Sequence, residues 1–134
     1  MTTIQDITLI KIPVVEDLSG NLAFIQNGIL PFEFKRVYYL FDVPSTAFRG
    51  GHSHVDQHKV LIALSGSFEV IVNDGKEKKS YLLNKPNVGL HLPNGIWREL
   101  ENFSSGSVCL VLASDVFEEM DYVRDYETFL KSKK

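Results

Sequence analysis

The 134-residue chain has one cysteine, so no disulfide can form within it. That residue, Cys109, lies in the apolar run VCLVLA, where a buried and unreactive thiol is expected. Such sparing cysteine use suits a reducing compartment, and the expected setting is cytoplasmic. Basic charge is also in short supply. Lys and Arg number 14 against 17 Asp and Glu, giving a net charge of −3 and a pI of about 5.8. A nucleic-acid partner, which needs a dense basic face, is excluded on that ground. No apolar run approaches the roughly 20 residues that a spanning helix requires, and the N-terminus lacks the charged-then-apolar order of a secretory signal. No membrane partner is expected. Repeats and low-complexity segments are missing, and 44% hydrophobic with 23% charged residues is an ordinary globular balance. The expectation is a single domain over 1–134.

What the chain does have is a succession of short β-type runs punctuated by turns. Ile7–Ile12 alternates, DLSGN makes a turn, and Leu22–Ile25 follows. FKRVYYLF, residues 34–41, is rich in the aromatic and branched side chains that suit a sheet. His58–Leu64, Phe68–Val72, Tyr81–Leu83, Val88–Leu92 and Val108–Ala113 continue the pattern, with NDG at 73–75 as a hairpin signal. The last stretch differs. Ser114 stands where a helix N-cap would, acidic residues follow, lysines end it, and Phe117, Met120, Val123 and Tyr126 recur at helical spacing. These features predict an all-β sandwich or small barrel over about 7–113 and a helical segment over about 115–131.

RGGHSHVDQH, residues 49–58, gathers three of the four histidines. His52, His54 and His58 share parity with Val60, Ile62 and Leu64. Continuous extended chain would therefore send all three imidazoles into the barrel beside an apolar floor. His91, on another strand, reads as a partly solvated histidine. Three inward imidazoles could bind a metal, transfer protons or pack, but packing alone leaves too much desolvation unanswered.

The spacing resembles that of the cupin superfamily, with Gly51, His52, His54, His58 and Gly66 on the frame G…HxHxxxE…G. Histidine replaces its glutamate. Gly89, Pro93, Gly95 and Arg98 similarly follow G…PxGxxH, with arginine where the last metal ligand belongs. A guanidinium has no lone pair and repels a cation. Acid–base chemistry without a metal or other cofactor is the favoured reading.

Longer blocks sharpen the likeness. PFEFKRVYYLFDV, RGGHSHVDQHKVLIALSGSFEV, NVGLHLPNGIWREL and LVLASDVFEEMDYVRDYETF resemble the nucleotide-sugar 3,4-ketoisomerases, from about Ile7 to Phe129. That resemblance implies a metal-free cupin-type jelly roll, a homodimer exchanging N-terminal strands, and a dTDP-linked 4-keto-6-deoxy hexose as substrate. It implies conversion of dTDP-4-keto-6-deoxy-D-glucose into the 3-keto isomer, through an enediolate and without a redox cofactor. By the same resemblance His52 is the base at C3 and His54 its assistant, with Tyr38 serving the sugar oxygens. Arg36, Arg49, Trp97 and Arg98 are candidates for substrate binding. For Tyr38 and Trp97 core packing is the competing reading, and for Arg36 a solvated or ion-paired surface arginine. The alternatives for the whole chain are a nucleotide-sugar 3,5-epimerase and a non-catalytic sugar-binding cupin.

Overall fold

Branched and aromatic runs that cannot bury both faces alone pair into antiparallel ladders, and here they build two facing sheets. The computed structural model describes residues 1–134. In chain order the strands are β1 (Thr8–Lys11), β2 (Val14–Val15), β3 (Leu22–Ala23), β4 (Arg36–Leu40), β5 (Arg49–His54), β6 (Lys59–Ser65), β7 (Phe68–Asn73), β8 (Lys78–Leu83), β9 (Val88–Leu92), β10 (Trp97–Glu101), β11 (Val108–Ala113) and β12 (Tyr122–Val123). One α-helix, α1 (Tyr126–Ser132), follows. The first sheet runs β1-β9-β6-β11-β4 and the second β12-β5-β10-β7-β8; β2 and β3 form a separate ladder. The all-β architecture with a C-terminal helix is the expected one.

Between the sheets Leu61, Ala63, Leu90, Leu92 and Val111 meet Phe68, Val70, Val72, Leu83 and Leu100. Cys109 is buried among them, and desolvation pushes its thiol up to about 12, so the residue is inert as expected. A smaller apolar cluster, Ile12, Leu30, Val60, Ile62 and Leu112 with Phe32 and Phe34 against it, covers the outer face of the first sheet.

This second cluster corrects the expected parity. Val60 and Ile62 do share a face with His58, but that face lies away from the other sheet; Leu61, Ala63 and Lys59 point between the sheets, and Leu64 is exposed. The first five residues of β6 are buried on both faces, so an unbroken apolar run carried no sign of which face was which. Residues 55–58 also interrupt the extended chain, separating His52 and His54 from β6.

The C-terminal segment needs a second correction. The helix begins at Tyr126, not near 115, and its N-cap is Asp125, whose carboxylate accepts from the Thr128 N–H at 3.0 Å. Ser114 instead accepts the His58 backbone N–H through its Oγ. Phe117 and Met120, on the expected apolar stripe, are 52% and 86% exposed. Tertiary bonding overrides the helical pattern there: Tyr122 and Val123 pair with His54 and Ser53, and Asp121 accepts the backbone N–H groups of Asp56 and Gln57. Those bonds tie the segment across the end of β5.

Candidate active site

A glycine bulge sets the site. Across the β5–β10 ladder Arg98 stands opposite His52, and Glu99 opposite Gly50, so Gly51 is the extra residue. Gly50 and Gly51 have φ of +86° and +69°, a left-handed conformation that glycine adopts without steric cost. In a regular strand Arg49 and His52 would face opposite ways. The bulge brings both to a cavity of about 450 Å³ that opens between the sheets at this end of the molecule.

The cavity is cationic. Arg36, Arg49, Lys59, Arg98 and Arg124 line it together with Tyr38, Tyr122 and His52, and no carboxylate does. Arg98 is only 2% exposed, donates Nε and Nη2 to the Ile96 carbonyl, and has no acidic partner in bonding distance. Burial lowers it to about 10, which leaves it charged at neutral pH. Arg36 lies over the Tyr38 ring at 4.3 Å, with its buried Nη1 unpartnered. Arg124 stacks on Tyr122 at 4.2 Å and is gripped by both carboxylate oxygens of Glu119. In a chain of net charge −3, four basic side chains without a carboxylate partner (Arg36, Arg49, Lys59 and Arg98), beside the Glu119-paired Arg124, form a site for an anionic ligand.

Two imidazoles occupy the floor, edge to face with ring centres 5.0 Å apart. His52 reaches the cavity; burial, then the Arg98 cation, push it down to about 3, so the ring is neutral and its lone pair is free. His54 is deeper. Its Nδ1 meets Asp121 Oδ2 at 2.9 Å, and that carboxylate already accepts two backbone N–H groups, so Nδ1 carries the hydrogen. The unpartnered Nε2 is then a lone pair. Burial, with Arg98 and Lys59 close by, holds His54 below the usual imidazole range against the pull of Asp121. Tyr38 is held protonated, since burial raises its phenol to about 12.

Of the residues singled out from sequence, His52, Tyr38, Arg36, Arg49 and Arg98 converge on this cavity, with His54 directly beneath. Trp97 does not join them. It packs on the outer face of the second sheet against Tyr126 and Phe129, at 5.2 and 5.6 Å, and its indole N–H donates to Glu99. Being next to Arg98 on one strand is what sends it to the other side. His58 is also elsewhere. Its Nδ1 lies 3.1 Å from His91 Nε2, the two rings stacked beneath Phe32 on the outer face of the first sheet. The cupin-like set of three histidines is therefore not assembled. With Arg98 and Lys59 beside the remaining pair, these residues do not fit a metal ion, and no group of three His, Cys, Asp or Glu side chains converges elsewhere.

Sequence reading missed Lys59, Asp121, Tyr122 and Arg124. Parity misassigned Lys59, and the expected helix concealed the other three. A charged residue opening an otherwise apolar strand was the one signal available for Lys59.

The chain matches the FdtA family (WxcM-like, C-terminal) over residues 5–134. It is 41% identical, over 124 residues, to the TDP-4-oxo-6-deoxy-alpha-D-glucose-3,4-oxoisomerase of Aneurinibacillus thermoaerophilus, covering 92% of this chain and 89% of that one. A histidine-to-asparagine mutant of the 3,4-ketoisomerase QdtA from Thermoanaerobacterium thermosaccharolyticum, crystallised with TDP-4-keto-6-deoxyglucose, superposes with a TM-score of 0.95 at 38% identity; 98% of this chain and 96% of that chain are covered. A 3,4-ketoisomerase from Helicobacter canadensis gives a TM-score of 0.92 at 42% identity over 96% of this chain and 97% of that chain. The chain belongs to the FdtA family, the nucleotide-sugar 3,4-ketoisomerases on a cupin-type fold.

Proposed function

We propose that the chain is an isomerase that moves the ketone of TDP-4-keto-6-deoxyglucose from C4 to C3, with His52 as the base. The observation that carries this assignment is a neutral imidazole facing a cavity of five cations and no carboxylate. The proton on C3 is acidified by the adjacent C4 ketone. His52 removes it, and the electrons pass to the C4 oxygen as an enediolate. Tyr38 gives that oxygen a proton and takes one from the C3 hydroxyl, while C4 itself is protonated and C3 becomes the ketone. No electrons leave the sugar, so the atoms balance without an oxidant. The base contributes about 10²–10⁴-fold. Fixed donors on the enediolate contribute about 3–4 kcal/mol each. Arg36, Arg49 and Arg98 hold the anion, and the Asp121–His54 pair supports His52.

Arg98 is a poor proton donor. Another group therefore delivers the C4 proton, from the face opposite His52 in a gluco-configured product. The resulting C3 ketone is suited to amination, placing the reaction in deoxyamino-sugar biosynthesis for surface glycans such as an O-antigen or S-layer, in the cytoplasm. Two copies pair and exchange N-terminal strands: β1 is an edge strand carrying exposed Leu9, and β4, at the opposite edge, displays Val37 and Tyr39, with exposed Phe41 just past its end. Light scattering should give twice the chain mass; a monomer at micromolar concentration refutes the pairing.

The deciding experiment is NMR of the protein with TDP-4-keto-6-deoxyglucose in D₂O containing chelator. The 3-keto product, with the gluco configuration at C4, is expected from the native chain. His52→Asn should bind TDP normally and lose at least about 100-fold in turnover. Solvent exchange at C5, or full turnover by the variant, overturns the assignment.

A further inference from the structure

Lys59 opens β6 and is 1% exposed, yet it has no carboxylate partner. The ion pairs of the protein are Lys35–Asp115, His54–Asp121 and Arg124–Glu119, all without it. A desolvated ammonium is expensive, and an apolar residue at this point of a buried strand would cost less. Its one hydrogen bond runs from Nζ to Tyr38 Oη at 3.0 Å. The ammonium also sits 5.1 Å from the Tyr38 ring and 5.2 Å from the Tyr122 ring.

Burial, then the Arg98 and Arg36 cations, lower Lys59 to about 7, and in its protonated form the direction of that bond is fixed by chemistry. An ammonium has three donors and no acceptor, so Tyr38 Oη must accept. The phenol's own hydrogen then has to point away from Lys59, and no protein acceptor takes it. Both side chains line the cavity, and the O–H is left to whatever occupies it. Arg36, stacked over the same ring, limits the tyrosine from another side.

We propose that Lys59 is a positioning residue for Tyr38: its ammonium occupies the phenol's lone pair and thereby aims the hydroxyl hydrogen at a sugar oxygen. The inference rests on the reading of Tyr38 as the group serving the sugar oxygens. Lys59 acts through the tyrosine, so its loss costs turnover only while the tyrosine hydroxyl is present.

The test is a double-mutant cycle on kcat and KM with TDP-4-keto-6-deoxyglucose, using Lys59→Met, Tyr38→Phe and the pair, with TDP affinity and melting temperature alongside. Lys59→Gln provides a second cycle should the methionine variant fold poorly. Expected results are a fall in kcat of about 10-fold for Lys59→Met, a KM within about 3-fold of native, and no further loss when the substitution is added to Tyr38→Phe. Multiplicative losses in the double variant, or a native kcat in both Lys59 variants, overturn the proposal while leaving the tyrosine's role standing. Native turnover in Tyr38→Phe instead sinks the reading beneath it.

Discussion

Asp121 holds the Nδ1 of His54 at 2.9 Å while accepting the backbone N–H groups of Asp56 and Gln57. Three donors thus converge on one carboxylate, from the last residue of β5 and the loop that directly follows it. Asp121→Asn would turn an N–H₂ toward one of them. The expected cost is about 2–3 kcal/mol in urea denaturation, since a charged acceptor is lost and a buried donor is left unsatisfied. Turnover should also fall by at least about 10-fold, because His54 no longer has its tautomer fixed.

Stability should depend on pH in one direction. His52 is pushed down to about 3 and His91 to about 4 by burial first; His54 is lowered by the same cause. In the unfolded chain these imidazoles titrate near 6.5. Below that pH the unfolded state binds protons that the folded state refuses, so their contribution is complete above about 6.5 and is lost as pH falls toward 3–4. Calorimetry should show the melting temperature dropping between pH 7 and pH 4, with a shallower slope in His52→Gln. A melting temperature that rises on acidification would contradict the buried neutral histidines.

The bulge at Gly51 offers a cleaner separation of causes. A Cβ added there meets no atom within 4 Å, so the φ of +69° is the sole obstacle. Gly51→Ala should cost about 1–2 kcal/mol in a thermal melt and leave TDP binding nearly intact. Deleting Gly51 removes the extra residue and turns Arg49 to the outer face. That deletion should weaken TDP binding measured by calorimetry, whereas unchanged affinity would remove Arg49 from the site.

Trp97 supplies a contrast. Its position against Tyr126 and Phe129 predicts that Trp97→Ala destabilises by about 3–5 kcal/mol. The KM for the sugar nucleotide should stay native at a temperature where the variant is folded. A raised KM with unchanged stability would return the indole to the substrate.

Much of this was legible in the residues. Val88–Leu92 and Val108–Ala113 are strands with the expected bounds, because their apolar runs are closed by turn residues on both sides. Four strands, β2, β5, β10 and β12, were not legible, and two of them frame the site. WRELE, residues 97–101, alternates charge with bulk and lacks a branched run, and RGGHSH, residues 49–54, has two glycines that propensity counts against a strand. Both exist because they pair with each other, a contact between residues some fifty positions apart in sequence.

By itself the sequence determined the all-β class, the inert Cys109, the family, and the presence of imidazoles and arginines in quantity, since composition, run length and motif spacing are local properties. Only the tertiary structure decided which side chains share a cavity. A strand buried on both faces hides its orientation, and one bulge residue reverses a parity. It was therefore packing that moved His58 and Trp97 away and brought in Lys59, Asp121 and Arg124.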